Sequence, residues 1–491
     1  MTLVWGISAL SHDASLAVLD GTNILFAAHA ERYSRVKNDL YLHPALIEEA
    51  LSFGRPDLIA WYERPLIKKA RQVRAGQWSD ALQLNDLPRR YLRSLGLPFR
   101  LPPIEYVNHH RSHAIGGVAT SGFDETAVIV ADAIGEFTTF SIGSYTRGSG
   151  YRTLHERRYP HSLGLLYSAF TRRCGFRPNE DEYIVMGMAA FGTPRHVDRI
   201  YEDLIEVVPP SFRVRINPHR GIGEWAADAE PADLAASIQQ VTEDILVTAA
   251  EWVARETGSR NLVLMGGVAL NCVANSRIAE RGLFDRIWIL PNPGDAGSSI
   301  GAAAAVVGGE IDWRGPYLGT SLGTEWPVDD ILAALIGDGV VGVASGKAEF
   351  GPRALGNRSL LADPRPADMK DRVNKIKGRE PFRPFAPVVR KERAHELFDL
   401  PVHESPYMQF TARSRLSDEM PAVVHTDGTS RVQTVAADQH PGLYALLTAW
   451  EQETGCAALL NTSLNGRSEP LLNDTSHVES WVAKTGIRVI S

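Results

Sequence analysis

The alternation of apolar and polar positions predicts that the chain opens with a small antiparallel sheet. Three apolar runs bounded by polar residues predict short strands: 2–8, 14–20 and 23–29. The dipeptide Asp20-Gly21 between the last two runs is typical of a hairpin turn. Between the first two runs lies the polar stretch 9–13, which places His12 and Asp13 in a turn. This turn is either an ordinary polar loop or part of a ligand site.

A second unit of the same kind lies further along the chain. The apolar run 126–131 predicts a buried strand, Asp132 follows in a turn, and 137–145 predicts the next strand. Small polar turns between two strands hold phosphate in actin-like ATPases, and two such units in one chain suggest internal duplication. We therefore predict an α/β chain whose N-terminal part is a duplicated actin-like (ASKHA) fold, with one phosphate-facing hairpin per lobe.

Two turns rich in small residues follow later strands. The strand 261–265 runs into Gly266 and Gly267 before a predicted helix, and this order lets backbone approach a nucleotide closely. A second apolar strand, predicted to end at Pro291, leads to Asp295 and to a helix of small residues. Each turn alone is weak evidence, but the ordered set of two hairpins and two such turns favours a nucleotide-binding fold.

Four side chains in these segments form a candidate metal site. His109 and His113 are four residues apart, so both imidazoles share one face if their segment is helical. Asp132 and Asp295 each follow a predicted strand, where side chains enter a cleft. Two histidines and two carboxylates suit a divalent cation. From spacing alone, the histidines are equally compatible with ordinary polar positions beside a core helix.

The charge of the chain changes in its last third. The Gly-rich segment 306–330 marks the predicted boundary between domains 1–315 and 316–491. Between residues 347 and 391, 12 Lys and Arg face only 5 Asp and Glu. Gly, Pro and Phe separate these cations, which favours a rigid anion pocket over a solvated surface patch. The candidate pocket residues are Arg353, Lys377, Arg379 and Arg383, together with Asn461 and Ser463 at a predicted strand end.

The remaining segments carry fewer signals. The segment 31–37 has three cations after a strand, which either hold an anionic substrate or begin a solvated helix. We predict surface helices with a charged face through 43–100, an amphipathic helix at 162–176 and a long helix at 231–256.

Composition limits the class of protein. The chain has 491 residues, 44% of them apolar, and a net charge of -7, which argues against a general nucleic-acid binder. Its three cysteines are far apart, so we expect no zinc pair and no disulfide framework, as in a reducing cytoplasm. The N-terminus lacks a basic region and a long apolar run, and no segment approaches ~20 uninterrupted apolar residues. We therefore expect a cytoplasmic protein with no membrane partner.

Eleven segments resemble the O-carbamoyltransferases of the NodU/CmcH type, which modify antibiotics and nodulation factors. In order along the chain, these are HDAS (12–15), ERYSRVK (31–37), HHRSHA (109–114), DAIGEF (132–137), SLGLLYSAFT (162–171), VMGMAAFG (185–192), GGVALNCVAN (266–275), PNPGDAGSSIGAA (291–303), EFGPRALGNRSLLADPR (349–365), IKGREPFRPFAP (376–387) and NTSLNGRSEP (461–470). They run nearly end to end, and GPRALGNRS together with FRPFAP is highly specific to the family.

The resemblance implies two domains that act in sequence. The N-terminal domain is expected to be actin-like, related to the transferase that makes threonylcarbamoyl-adenosine in tRNA. The C-terminal domain is expected to be α+β and YrdC-like, where carbamoyl phosphate and ATP give carbamoyl-adenylate and pyrophosphate. The carbamoyl group then moves to a hydroxyl of a small-molecule acceptor, a sugar or natural product, in the N-terminal domain.

The resemblance also assigns residues by their place in the motifs. It implies that the four candidate ligands bind a metal, Fe(II) in the family, and that Mg(II) accompanies ATP. His12 lies near the reacting carbonyl, where it deprotonates or orients the acceptor hydroxyl, with Asp13 beside it and Lys37 as a nearby cation. The nucleotide in the N-terminal domain contacts Gly135, Gly266, Gly267 and Asn271. Carbamoyl phosphate and ATP contact the basic pocket, with Arg353, Lys377, Asn461 and Ser463 the best matched.

One departure and two alternatives remain open. Ile184 stands where the family usually has lysine, which reshapes the predicted acceptor pocket. A sugar kinase or ATPase would need only the actin-like part and would release ADP. Carbamoylation of a nucleoside or nucleic-acid base needs a local basic groove, and the net negative charge of the chain argues weakly against this alternative.

Overall fold

The computed structural model describes residues 2–323 and 325–491, and its first part contains two five-stranded sheets. The strands of this part are β1 (Leu3–Ser8), β2 (Ser15–Asp20), β3 (Asn23–His29), β4 (Leu58–Trp61), β5 (Ile104–Tyr106), β6 (Glu125–Ala131), β7 (Thr138–Thr146), β8 (Gly150–Arg158), β9 (Ile205–Val208), β10 (Ser211–Val214), β11 (Asn261–Met265) and β12 (Arg286–Trp288). The sheets have the orders β3-β2-β1-β4-β5 and β8-β7-β6-β11-β12, while β9 and β10 form a separate hairpin. In each sheet, three antiparallel strands are followed by two parallel ones. This repeated topology confirms the predicted duplication.

Two helices pack against each other between these sheets and set the position of the site. The helices of this part are α1 (Glu31–Ser34), α2 (Pro44–Ser52), α3 (Pro65–Ala75), α4 (Trp78–Leu82), α5 (Pro88–Ser94), α6 (His109–Ser121), α7 (Leu163–Arg173), α8 (Glu182–Met188), α9 (Val197–Asp203), α10 (Pro231–Thr257), α11 (Cys272–Glu280) and α12 (Ser298–Val307). Helix α12 packs on β1 and on α6, which in turn packs on β11. A Cβ at Gly301 would lie 1.8 Å from the carbonyl oxygen of Ser112, so α6 and α12 cross backbone to backbone. This close crossing brings the start of α6 next to the start of α12.

Most of the predicted elements are present, with two differences in the strands. The prediction of helices through 43–100 is confirmed for α2 to α5 but is wrong at Leu58–Trp61, which forms β4 parallel to β1. Four apolar residues are too few to show an alternating pattern, so only the neighbouring strand identifies this one. The strand predicted to end at Pro291 ends at Trp288.

The second part of the chain is built on a mixed six-stranded sheet. Its strands are β13 (Tyr317–Leu322), β14 (Val340–Ala344), β15 (Gly346–Glu349), β16 (Arg358–Ala362), β17 (Ala386–Arg390), β18 (Phe398–Asp399), β19 (Thr411–Ser414), β20 (Thr429–Arg431), β21 (Gln433–Val435), β22 (Ala458–Ser463) and β23 (Val489–Ile490). Its helices are α13 (Val328–Asp338), α14 (Met369–Lys377), α15 (Ala394–Leu397), α16 (Pro441–Thr454) and α17 (Thr475–Thr485). The large sheet has the order β21-β17-β22-β16-β14-β23. Side chains of α13 and α16, including Trp450, form a separate apolar cluster against it.

The two parts of the chain share their largest hydrophobic core. One continuous cluster contains Leu264 of β11, Leu360 of β16 and Phe410. Polar contacts join the same parts, because Ser276 of α11 donates from its hydroxyl to the carbonyl of Thr411 at 3.0 Å. The boundary between residues 315 and 316 stays a prediction. Within the described residues, none of the helices combines the length and hydropathy needed to cross a bilayer.

Candidate active site

The start of α6 is fixed by a buried carboxylate. The side chain of Asn108 caps the helix by accepting from the backbone N–H of Arg111. Glu136, which is 2% exposed, accepts from the backbone N–H of His109 at 3.2 Å and from the Asn108 amide at 3.1 Å. Arg64, which immediately precedes α3, forms an ion pair with the same carboxylate. The first turn of α6 therefore has little freedom to move.

The four predicted metal ligands come together at this helix start. His109 Nε2 lies 3.2 Å from Asp132 Oδ2 and 3.3 Å from His113 Nε2. Asp295, in a 3₁₀ turn before α12, places its Oδ1 3.3 Å from His113 Nε2 and 3.6 Å from His109 Nε2. One ligand atom from each of the four side chains lies within 4.8 Å of the others, and all four residues are buried. The structure therefore brings the four predicted ligands together at one point, and their binding of a metal stays a prediction.

The donor set fits a divalent cation. His113 Nδ1 lies 3.1 Å from the carbonyl oxygen of Pro293 and donates a hydrogen bond to it. The proton of the imidazole is therefore on Nδ1, and the lone pair of Nε2 faces the cluster. Burial opposes charge on His109, but the carboxylates of Asp295 and Asp132 outweigh it and raise the pKa of His109 to about 9. Burial likewise opposes charge on Asp132, but the histidines hold its pKa well below its usual range. Two anionic carboxylates beside two imidazoles attract a positive charge, as a metal site requires.

His12 and Asp13 form an ion pair in the turn between β1 and β2. His12 Nδ1 lies 3.4 Å from Asp13 Oδ2, and His12 Nε2 lies 2.9 Å from the carbonyl oxygen of Asn179. Burial disfavours the imidazolium, but Asp13 and then Asp295 raise the pKa of His12 from 6.5 to about 10. The His12 side chain is 41% exposed, so water screens part of this attraction, yet both ring nitrogens face acceptors. The imidazole is therefore positively charged at neutral pH. In this state it donates hydrogen bonds, and it must lose a proton before it can act as a base.

An aromatic ring joins the two groups of candidate residues. Lys37 Nζ lies 4.9 Å from the centroid of the Tyr183 ring, and the guanidinium carbon of Arg383 lies 4.8 Å from the same centroid. Lys37 belongs to the first part of the chain and Arg383 to the second. Tyr183 precedes Ile184, the position where the family usually has lysine, and sequence reasoning did not single it out. In the sequence, only the position of Tyr183 within that motif indicates a function for it.

The predicted nucleotide residues have different surroundings. Gly267 donates its backbone N–H to Asp132 Oδ1 at 3.1 Å, and Gly266 has a φ of 89° with no room for a side chain. Asn271 caps α11 and its amide donates to Gln239 at 2.9 Å. A Cβ at Gly135 would lie 2.2 Å from His109, so this glycine makes room for the metal ligand. Gly267 and Asn271 line the cavity described below.

The predicted basic pocket is present in the second part of the chain. Lys377 is 3% exposed and donates from Nζ to Asn465 Oδ1 at 2.7 Å and to Ser463 Oγ at 3.2 Å. Burial lowers the pKa of Lys377, and Arg379 and Arg383 lower it further. Asn461 donates from its amide to the carbonyl of Ala354 and to Gln433, so it supports the pocket wall.

Two arginines of this pocket have positive charges without carboxylate partners. Arg353 forms no hydrogen bond or ion pair from its side chain within the described residues. Arg431 at the end of β20 has an unpartnered, buried Nε and lines the same pocket. Burial lowers the pKa of Arg353 to about 9, and the neighbouring Arg431 contributes. Sequence reasoning missed Arg431, because it lies outside the basic block and ends an unremarkable strand.

Both groups of residues open onto one cavity of about 840 Å³. His12, Lys37, Asp132 and Asp295 line it, and so do all six predicted residues of the basic pocket. The two groups of residues predicted from distant segments therefore line one shared cavity.

Two other cations of the segment 31–37 have structural roles. Arg35 donates to the carbonyl oxygens of Leu471 at 2.6 Å and Pro470 at 2.8 Å. Arg32 is 3% exposed and donates to the carbonyl of Gly351. Neither predicted role applies to these two residues, because they join the two parts of the chain instead of holding substrate or facing solvent.

Comparison with known proteins places this geometry in a family. The family model described as "Carbamoyltransferase N-terminus" matches residues 91–304, and "Carbamoyltransferase C-terminus" matches residues 333–491. The chain is 34% identical to nodulation protein NolNO of Sinorhizobium fredii, over 95% of this chain and 76% of that protein. It is 29% identical to the 3'-hydroxymethylcephem-O-carbamoyltransferase of Amycolatopsis lactamdurans, over 97% of this chain and 95% of that protein.

Solved structures are more distant. Full-length HypF in its phosphate- and nucleotide-bound form is 14% identical with a TM-score of 0.38, over 62% of this chain and 46% of that one. A ROK family glucokinase from Streptomyces griseus is 13% identical with a TM-score of 0.31, over 62% of this chain and 98% of that one. The two family models together match most of the chain, and the 34% identity to NolNO extends over 95% of it. This chain therefore belongs to the carbamoyltransferase family and is an enzyme of that class.

Proposed function

We propose that the enzyme is an ATP-dependent O-carbamoyltransferase that forms carbamoyl-adenylate at the basic pocket and uses it at the metal site. The observation that carries this proposal is the single cavity lined by both groups of residues. A reactive mixed anhydride would stay in this space between the two steps, away from bulk water.

The first step needs a site for several phosphate charges. Arg353 and Arg431 have no carboxylate partner, and Arg379 has an unpartnered Nη2. Such donors would stabilise the charge that develops when pyrophosphate leaves the α-phosphorus of ATP. Because carbamoyl-adenylate keeps only one phosphate, which comes from ATP, the phosphate of carbamoyl phosphate must leave separately with the uptake of one water. In this proposal the second part of the chain is the YrdC-like domain, and Mg(II) accompanies ATP.

The second step needs a group that polarises the acyl phosphate. His109, His113, Asp132 and Asp295 would hold the metal, Fe(II) in our proposal. Bound there, the metal would supply Lewis-acid polarisation of the adenylate and neutralise its phosphate. Gly267 would bring backbone close to the nucleotide at the end of β11, as in an actin-like lobe.

His12 would act at the acceptor hydroxyl. With Asp13 beside it, His12 is charged in the free enzyme, and when substrate binds its Nε2–H would exchange the carbonyl of Asn179 for the carbamoyl oxygen as its hydrogen-bond acceptor. Lys37 is a second cation on this side of the cavity. The acceptor hydroxyl attacks the carbamoyl carbon, AMP leaves, and the hydroxyl proton is lost to a base or to water. Relatives named for cephem carbamoylation support a small hydroxylated acceptor.

The products of the first step test the proposal against its alternatives. Purified enzyme with carbamoyl phosphate and ATP should release pyrophosphate and inorganic phosphate, measured by enzyme-coupled assays with HPLC of the nucleotides. Release of ADP without pyrophosphate would contradict the proposal and favour a kinase or ATPase. Incubation with nucleosides or short RNA in place of small hydroxylated acceptors distinguishes the nucleic-acid alternative by the mass of the carbamoylated product.

A further inference from the structure

Helix α3 buries its polar residues and exposes its apolar ones. Leu66 is 72% exposed and Val73 is 40% exposed, whereas Lys68 and Arg71 are only 8% and 5% exposed. Positions 66, 70, 73 and 74 share one face of the helix, and 68, 71 and 72 share the opposite face. A surface helix normally has the reverse arrangement. Among positions 66, 70, 73 and 74 only Arg74 is charged, so the prediction of a charged outer face is wrong for most of this helix.

Contacts inside the protein hold α3 in this orientation. Lys68 donates from Nζ to Glu63 Oε1 at 2.7 Å and to the carbonyl oxygen of Leu10 at 2.8 Å. Arg71 donates to the side-chain oxygen of Gln77 at 2.6 Å. If α3 rotated to bury Leu66, Lys68 and Arg71 would turn towards solvent and these hydrogen bonds would break. The apolar face is thus fixed outward.

The apolar surface continues beyond α3. Trp78 at the start of α4 is 60% exposed, Leu82 at its end is 75% exposed, and Leu84 is 53% exposed. Leu82, Leu66 and Trp78 are the three most exposed large apolar side chains of the described residues. Six of the fourteen exposed large apolar side chains fall between residues 66 and 84. Such clustering is typical of an interaction surface, since isolated exposed apolar residues need no explanation.

Unpaired arginines occur in the same segment. Between residues 64 and 100, 9 Lys and Arg face 2 Asp and Glu, in a chain of net charge -7. Five of these arginines are exposed and form no salt bridge within the described residues: Arg74, Arg89, Arg90, Arg93 and Arg100. Their charge selects an anionic partner. It also disfavours a symmetric dimer through this surface, because each copy would present the same cations to the other.

We propose that this surface docks on an anionic lipid bilayer. The α3–α4 face is defined by Leu66, Val73, Trp78, Leu82 and Leu84 together with Arg74 of α3. The other unpaired arginines follow it in the chain, on α5 and at position 100. The exposed leucines and tryptophan of this face can enter lipid without a complementary pocket, and tryptophan favours the bilayer interface. Arginines bind lipid phosphates through paired N–H groups. Peripheral docking differs from the sequence-based expectation of no membrane partner, which rested only on the lack of a spanning segment.

Vesicle binding by the full chain tests this proposal without any carbamoyl acceptor. Wild-type protein should co-sediment with phosphatidylglycerol vesicles, bind phosphatidylcholine vesicles much less, and be released by high salt. The variant L66D/L82D should bind phosphatidylglycerol at least about a hundredfold more weakly, because each leucine contributes about tenfold. I336D changes an exposed apolar residue outside this face, 54% exposed on α13, and should bind like wild type.

Three outcomes would overturn the assignment. Wild-type protein that does not bind phosphatidylglycerol vesicles at low salt has no lipid surface of this kind. Concentration-dependent dimerisation that L66D/L82D abolishes, measured by light scattering, assigns the face to a second copy. Retention of wild type but not the variant on polyglutamate, without vesicle binding, assigns it to an acidic protein. None of these results depends on whether carbamoyl transfer is the activity.

Discussion

Lys68 of α3 donates a hydrogen bond from Nζ to the carbonyl oxygen of Leu10 at 2.8 Å, and so fixes the turn that carries His12 and Asp13 from outside the cavity. Leu10 has a φ of 68°, a conformation that a leucine rarely adopts without support. Glu63 completes the contact at 2.7 Å from the same ammonium group. A residue with no access to substrate thereby positions two residues that we place at the acceptor.

Removing this support should impair transfer more than adenylate formation. K68M leaves Glu63 buried without its partner and should destabilise the fold by about 3–5 kcal/mol. The double variant E63Q/K68M removes both charges and should fold well while transferring about a hundredfold more slowly, because the turn is misplaced. Equal loss of pyrophosphate formation and transfer, measured on the double variant, would show a general structural role instead.

Asp295 should be required for metal binding and for transfer. Asparagine lacks the negative charge that attracts a divalent cation, so D295N should lose most of its metal, measured by mass spectrometry of the purified protein. It should still release pyrophosphate, because Asp295 lies on the metal side of the cavity. The matched control is D312N, which changes a partly exposed carboxylate paired with Arg314. Wild-type metal content in D295N would exclude this cluster as the metal site.

Arg353 should act in the first step. R353A removes a donor that has no protein partner, so pyrophosphate formation should fall by about a hundredfold with little change in the free energy of unfolding. R365A is the matched control, because Arg365 pairs with Asp363 and lies outside the cavity lining. If R353A forms pyrophosphate at the wild-type rate, the nucleotide pocket lies elsewhere.

Tyr183 should keep the two steps coupled. Its ring contacts both Lys37 and Arg383, so it adjoins both of the groups that we assign to the two steps. Y183A should release more pyrophosphate than carbamoylated product, because the intermediate escapes to water. Y183F keeps the ring and its attraction to cations, and should remain coupled. A constant ratio of pyrophosphate to product in Y183A would contradict this role.

His440 should make the stability of the fold depend on pH. Its Nδ1 accepts from the backbone N–H of Leu443 at 3.0 Å, its Nε2 donates to Asn357, and burial lowers its pKa from 6.5 to about 4. The unfolded chain binds this proton between pH 6.5 and 4 while the folded chain does not, so stability is lost as the pH falls through that window. The loss amounts to about 3 kcal/mol.

H440N retains a capping side chain at this position and should lack that part of the pH dependence. Urea unfolding of both proteins at pH 7 and pH 4.5 measures the difference. Parallel curves for wild type and H440N would show that other groups control the acid sensitivity.

The sequence predicts best those features whose residue pattern lies within one short segment. The spacing of His109 and His113, and the strand before Asp132, depend on neighbours only a few residues away, so the clustering of these side chains was predictable. Their role as metal ligands stays a prediction. Long-range packing is different, because the same pattern folds in more than one way. The outward apolar face of α3 depends on Leu10 accepting from Lys68, more than fifty residues away, and no local pattern records that contact. The pocket role of Arg431 is hidden for the same reason.

The hydrophobic core that runs from Leu264 to Phe410 has a consequence for engineering. One way to engineer this family would be to exchange half-chains between relatives at the glycine-rich segment 306–330. Such a chimera would join the first part of one relative, which we propose binds the acceptor, to the second part of another, which we propose forms the adenylate. Here the halves contribute to one core, and Arg35 is bonded to carbonyls of the far half. A working chimera would therefore need both surfaces of this interface from the same parent. A chain divided within the segment 306–330 would need its two halves to be co-expressed, so that they fold against each other.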